Sequence, residues 1–70
     1  MTWTSTPESS TISRFKYEAD RKVLTVEFKS GGTYNYYDVP KAVFDGMKAA
    51  PSRGKFHAQN VKGIFRYARA

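Results

Sequence analysis

Cysteine is absent from this 70-residue chain, and histidine occurs once, at His57. The first absence excludes a disulfide framework and a thiolate metal site, and the second excludes an imidazole metal cluster. No apolar run approaches the roughly 20 residues of a membrane span, and Met1–Ser10 lacks the basic and apolar regions of a signal peptide. A soluble, cytoplasmic chain with no membrane attachment is expected. Acid is missing from one region only. Residues 1–45 carry six cations and six acids, whereas residues 46–70 carry Lys48, Arg53, Lys55, Lys62, Arg66 and Arg69 with no Asp or Glu. The formal net charge of +6 therefore sits in the last third. Such asymmetry points to a polyanionic partner, and its competing explanation is a merely solvated face.

Seventy residues make one small domain, with a thin core and a stability of ~3–5 kcal/mol. The most informative stretch is Val23–Pro40. Leu24, Val26 and Phe28 alternate with Thr25, Glu27 and Lys29, the period of a half-buried strand. After Ser30-Gly31-Gly32, the run Thr33–Tyr37 is rich in residues that suit a pleated surface. A three-residue loop, Ser30–Gly32, pairs Phe28 with Tyr34 and Val26 with Tyr36 and keeps one apolar face, with Gly32 supplying the positive φ.

Upstream, Thr11–Glu18 reads as the first strand. A turn around Asp20-Arg21 sets Tyr17 opposite Leu24 and Phe15 opposite Val26, so the same face continues across three strands. Residues 1–8 read as a flexible tail and residues 9–70 as a single domain, with Trp3 either loose or docked on the sheet edge. Downstream, Pro40 suits a first helical position. Val43, Phe44, Met47 and Ala50 form an apolar stripe that would lie on the sheet, and Gly46 suggests close approach of helix to strand. Pro51 stops this helix. Ser52 is the expected N-cap of a second helix running to about Lys62, anchored by Phe56 and Val61 and ended by Gly63. Ile64–Arg69 reads as a fourth strand. The predicted fold is α+β, in the order β-β-β-α-α-β. Its four-stranded antiparallel sheet has order 3-2-1-4, with both helices packed on one face.

Ser52-Arg53-Gly54-Lys55 is unusual, because the first turn of a helix favours acids and here holds two cations. A phosphate bound there by free N–H groups, Ser52, Arg53 and Lys55 would relieve the conflict, with Lys62, Arg66 and Arg69 extending the basic surface. The competing account leaves both side chains in water, with Gly54 easing a tight corner. The glycine spacing of a P-loop is absent. Among the aromatics, Tyr34 and Tyr36 fall on the buried face. Tyr37 falls on the other, near Arg14, Lys16 and Arg66, and is the candidate for base stacking. His57 has no carboxylate at short spacing and reads as a polar surface residue. Asp38 and Asp45 near the helix start read as ordinary capping. Ser52 lacks a base, so no enzyme is expected, and no cofactor or metal.

The combined pattern of Tyr17, Leu24-Val26-Phe28, Gly31, Tyr34-Tyr36, Val39-Pro40, Ala50-Ser52-Gly54 and Phe65/Tyr67 resembles the KTSC domain. That bacterial and phage module is named for its occurrence at the C-terminus of some lysyl-tRNA synthetases. The resemblance runs from about Ser9 to the C-terminus, with Val61 where the family usually has isoleucine. It implies a small accessory module, for which RNA binding has been suggested from the synthetase neighbour, an analogy rather than a mechanism. The expectation is therefore a monomeric, non-enzymatic module binding nucleic acid, RNA before DNA. The alternative is a protein-interaction module of bacterial or phage origin meeting an acidic partner.

Overall fold

The computed structural model describes residues 3–6 and 9–70. Strands β1 (Thr4–Ser5), β2 (Ile12–Glu18), β3 (Val23–Phe28) and β4 (Thr33–Tyr36) come first. Helices α1 (Lys41–Ala49) and α2 (Arg53–Asn60) follow, and β5 (Tyr67–Arg69) closes the chain. All strand pairs are antiparallel, in the order β1-β2-β3-β4-β5.

The β2–β3 hairpin follows the hydrophobic alternation. Phe15 faces Val26 and Tyr17 faces Leu24, and all four are buried. Lys22 closes the turn in the left-handed region, φ 54°. The next hairpin corrects the expected register. Val26 faces Tyr34 and Leu24 faces Tyr36, two residues away from the predicted pairs. The loop is Lys29–Gly31, closed by the Phe28 amide on the Gly32 carbonyl at 2.8 Å, and Gly31, not Gly32, takes the positive φ of 110°. Lys29 explains the slide. Its amide donates to the Thr11 carbonyl at 2.9 Å, so it stays beside the segment leading into β2 and the chain turns at once. Because side chains alternate with period two, a two-residue slide leaves each on its predicted face.

The strand order is also corrected: the sheet has five strands in sequence order, and β5 pairs with β4 rather than with the first long strand. That strand's outer edge is already occupied. Thr4 and Ser5, inside the segment read as a tail, pair with Phe15 and Arg14 of β2. The Thr6 hydroxyl donates to the Ile12 carbonyl, and Thr6 is fully buried. Trp3 is docked, with its ring beneath the Arg14 guanidinium at 4.0 Å and the Lys16 ammonium at 4.7 Å. The tail reading for Met1, Thr2, Pro7 and Glu8 lies outside the described residues.

Pro40 is the N-cap of α1, one place before its predicted position, with extended backbone at ψ 148°. Met47 is fully buried, and Phe44 stacks on Tyr17 at 5.0 Å and meets Phe15 edge-on at 5.8 Å. Gly46 does serve a close approach, but to the other helix: a Cβ there would lie 3.0 Å from Phe56 Cζ. Helix α2 is capped by Ser52, whose hydroxyl accepts from the Lys55 amide. Its inward stripe is Gly54, His57 and Val61, at helical spacings of three and four. Gly54 lets α2 approach the chain before β2, since a Cβ there would stand 3.3 Å from Ser9 Oγ. The last strand is shorter than predicted. Residues 61–64 form turns, Gly63 at φ 78° among them, and pairing resumes where the Tyr37 amide donates to the Arg66 carbonyl.

Candidate functional site

The residues expected to hold phosphate occupy three separate places. At the start of α2, the Ser52 hydroxyl is engaged as a cap, and Arg53 reaches back to donate to the Lys48 carbonyl at 2.8 Å. That carbonyl belongs to the last turn of α1, where partial negative charge accumulates, so Arg53 finds a local electrostatic partner. Lys55 is exposed. On the outer sheet face, Arg66 lies 3.9 Å from Asp38 and 5.7 Å above the Tyr37 ring, so the proposed stacking residue carries a cation over one face. Arg14 and Lys16, expected near Tyr37, instead stack on Trp3. Lys62 and Arg69 are found on the helix-covered side. Lys62 lines a cleft there, and Arg69 faces Tyr34 across β4–β5.

That cleft, about 340 Å³, opens between α2 and the β4–β5 end of the sheet. Five rings make it: Phe28, Tyr34, Tyr67, Tyr36 and His57. They form a closed circuit in which each touches the next with centroids 5.1–5.7 Å apart: Phe28 on Tyr34, Tyr34 on Tyr67, Tyr67 on Tyr36, Tyr36 on His57, and His57 on Phe28. Four contacts are edge-to-face, which sets the positive rim of one ring against the negative face of its neighbour. Tyr67 is 57% exposed and forms the outer lip, while His57 is only 3% exposed.

The buried imidazole corrects the surface reading of His57. Its Nε2 is enclosed and has no hydrogen-bond partner among the described residues. Burial, and then the nearby Lys62 ammonium, pull its pKa down to about 4, so the ring is neutral near pH 7. Burial and then the neighbouring Tyr67 and Tyr34 push the Tyr36 phenol above its ordinary value. Tyr17, in the packed half, donates its hydroxyl to the Val39 carbonyl at 2.5 Å. The hydroxyls of Tyr34, Tyr36 and Tyr67 make no hydrogen bond among the described residues. The cleft thus combines aromatic walls with residues that carry polar groups, a composition typical of ligand pockets.

Among the described residues no acidic side chain lines this cleft. Glu27 pairs with Arg14, Glu18 with Arg21, Asp45 with Lys41 and Asp38 with Arg66. Among the described residues no group of three or more His, Cys, Asp or Glu side chains could hold a metal ion, and no helix is long and apolar enough to cross a membrane.

Comparison with known proteins gives the arrangement a family. The model of the KTSC domain matches residues 8–67. The chain belongs to the KTSC domain family. A crystal structure of a KTSC domain protein from Yersinia pestis superposes with a TM-score of 0.93 at 29% identity, covering 99% of this chain and 96% of that one. A protein from Tsukamurella paurometabola is 44% identical over 59 residues, 84% of this chain and 88% of its own length. A lysine–tRNA ligase from Trichormus variabilis is 41% identical over 61 residues, 87% of this chain. The match spans only 11% of that ligase's length. Tyr34 and Tyr36, two of the residues on which the resemblance rests, both line the cleft. His57 reads as a surface residue in the sequence because hydropathy alone does not mark its burial. The signal was its place between Gly54 and Val61 on one helical stripe.

Proposed function

We propose that this KTSC domain is a non-enzymatic module that binds single-stranded nucleic acid, RNA in preference to DNA. The observation that carries the reading is the acid-free run of six cations in residues 46–70, two of which, Lys62 and Arg69, belong to the aromatic side of the sheet. Cations beside exposed rings are what a flexible strand of phosphates and bases requires. Relatives whose name includes tRNA favour RNA. Ser52, Arg53, Gly54 and Lys55 at the start of α2, together with Arg66, extend the phosphate track, and Tyr37 offers a secondary stacking face. The cytoplasm is the compartment where such a ligand is met, and a monomer suffices for it.

Anisotropy titrations of a labelled single-stranded RNA at several salt concentrations test this. The logarithm of affinity falls with the logarithm of salt by roughly 0.7 per phosphate neutralised. Lys62→Ala and Arg69→Ala should each reduce that slope by about 0.7 and leave the circular dichroism spectrum unchanged. Absence of binding at low salt would end the nucleic-acid reading.

One observation favours a second reading, a protein-interaction module. Among the described residues no strand pairs with the outer edge of β5, and Tyr67 within it and Ile64 three residues before it are 57% and 62% exposed. An acidic extended segment could add there as a sixth strand. Ile64→Lys should weaken such docking and leave RNA affinity intact or raised.

A further inference from the structure

We infer that the five-ring cleft receives one unstacked nucleobase of the bound strand, held by stacking on Tyr67 with the base edge directed toward the tyrosine hydroxyls and His57. This rests on the nucleic-acid reading above and adds a base-dependent site to a binding mode that the cations alone would leave indifferent to bases.

Three independent features converge. The first is size: about 340 Å³ lies at the low end of the roughly 300–1,000 Å³ found for ligand pockets, which suits one planar ring system. The second is polarity. A base edge carries donors and acceptors side by side, and the cleft is lined by Tyr34, Tyr36, Tyr67 and His57, residues whose side chains can both donate and accept. The third is charge: Lys62 lines the cleft and Arg69 stands opposite Tyr34, so phosphates flanking an inserted base meet cations. Tyr67 is the stacking surface because its exposure exceeds that of Tyr34 and Tyr36, and it sits on a three-residue strand at the sheet edge. Its ring is in contact with Tyr34 and Tyr36, which hold it in place across the cleft mouth.

The decisive experiment compares two probes on the whole chain: a short single-stranded oligonucleotide, and an oligomer of equal length and charge whose sugars lack bases. Stacking and edge contacts make the base-bearing strand bind about tenfold more tightly. Tyr67→Ala should bring its affinity down to that of the abasic strand, and Tyr67→Phe should retain most of the difference. Amide shifts of Thr11, His57 and Ala58, which line the cleft away from the phosphate track, should move with the base-bearing strand only. Equal binding of the two oligomers, with salt dependence preserved, would overturn the base pocket while sparing the electrostatic reading. Binding of neither would overturn both. Tyr67 is exposed, so its substitution leaves the fold intact, and unchanged thermal unfolding of the variant verifies that.

Discussion

At the β2–β3 end of the sheet, Phe15, Leu24 and Val26 are completely enclosed, and the Tyr17 hydroxyl is satisfied by a carbonyl. At the β4–β5 end, Tyr67 and Ile64 face solvent, Tyr34 is half-buried, and His57 is buried with a nitrogen unpaired. Both ends are built from the same alternation on the same face. The difference lies in what covers them. Helix α1 lays Phe44 and Met47 on the first end, whereas α2 presents Gly54, His57 and Val61 to the second and leaves a cleft. Charge divides in the same sense: neutral through residue 45, strongly basic after it. One half is fully packed, and the other retains a cleft and a buried nitrogen with no partner among the described residues.

The sharpest way to break this division is truncation of one ring in each half. Phe15→Ala removes a fully enclosed ring and should cost about 3–5 kcal/mol, comparable to the stability of the domain, so the variant is largely unfolded by denaturant titration. Tyr67→Ala should cost less than about 1 kcal/mol. Similar losses at the two sites would erase the distinction.

The next effect concerns acid. His57 has a folded pKa of about 4, below the ordinary histidine value of 6.5, so the unfolded chain binds the proton more readily. Stability is therefore full above about pH 6.5 and declines as pH falls toward 4, by up to about 3 kcal/mol. Thermal unfolding at stepped pH should show that slope, and His57→Phe should flatten it. A wild-type profile level between pH 6.5 and 4 would mean that the ring is hydrated and the second half less closed than described.

Smaller effects sharpen the picture of the helices and the outer face. Gly46→Ala gains about 1 kcal/mol in helix propensity but sets a methyl 3.0 Å from Phe56, and overpacking of this kind costs roughly 1–3 kcal/mol. A net loss of about 1 kcal/mol is expected, and a more stable variant would show that Phe56 can swing aside. Glu27→Gln, which breaks a part-exposed pair with Arg14 at 3.2 Å, should cost under about 1 kcal/mol, with the loss shrinking as salt rises.

Much of the first half was legible before the structure. The pairing of Phe15 with Val26 and of Tyr17 with Leu24 follows from parity, and Ser52 caps its helix as its residue type and position imply. The candidate site was legible only in part. Lys62, Arg69 and the two tyrosines were named, but as members of different arrangements, and the ring that joins them, His57, was assigned to the surface. On a weakly apolar helix the local sign of burial is faint, no more than the place of His57 between Gly54 and Val61 on one stripe. The histidine's position is decided by a sheet face more than twenty residues earlier in the chain.

What the sequence by itself determined is the alternation of faces, the two helices with their stops, and the separation of charge. Each depends on neighbours within a few residues, where periodicity, proline and composition act directly. Only the tertiary structure decided the strand order, the two-residue slide of the second hairpin, and the cleft. The order turned on two residues, Thr4 and Ser5, occupying an edge that the last strand would otherwise have taken. The slide turned on a hydrogen bond from Lys29 to Thr11. The cleft required rings from β3, β4, α2 and β5 to meet. Those are competitions between distant segments for the same surface, and local sequence carries no record of which one wins.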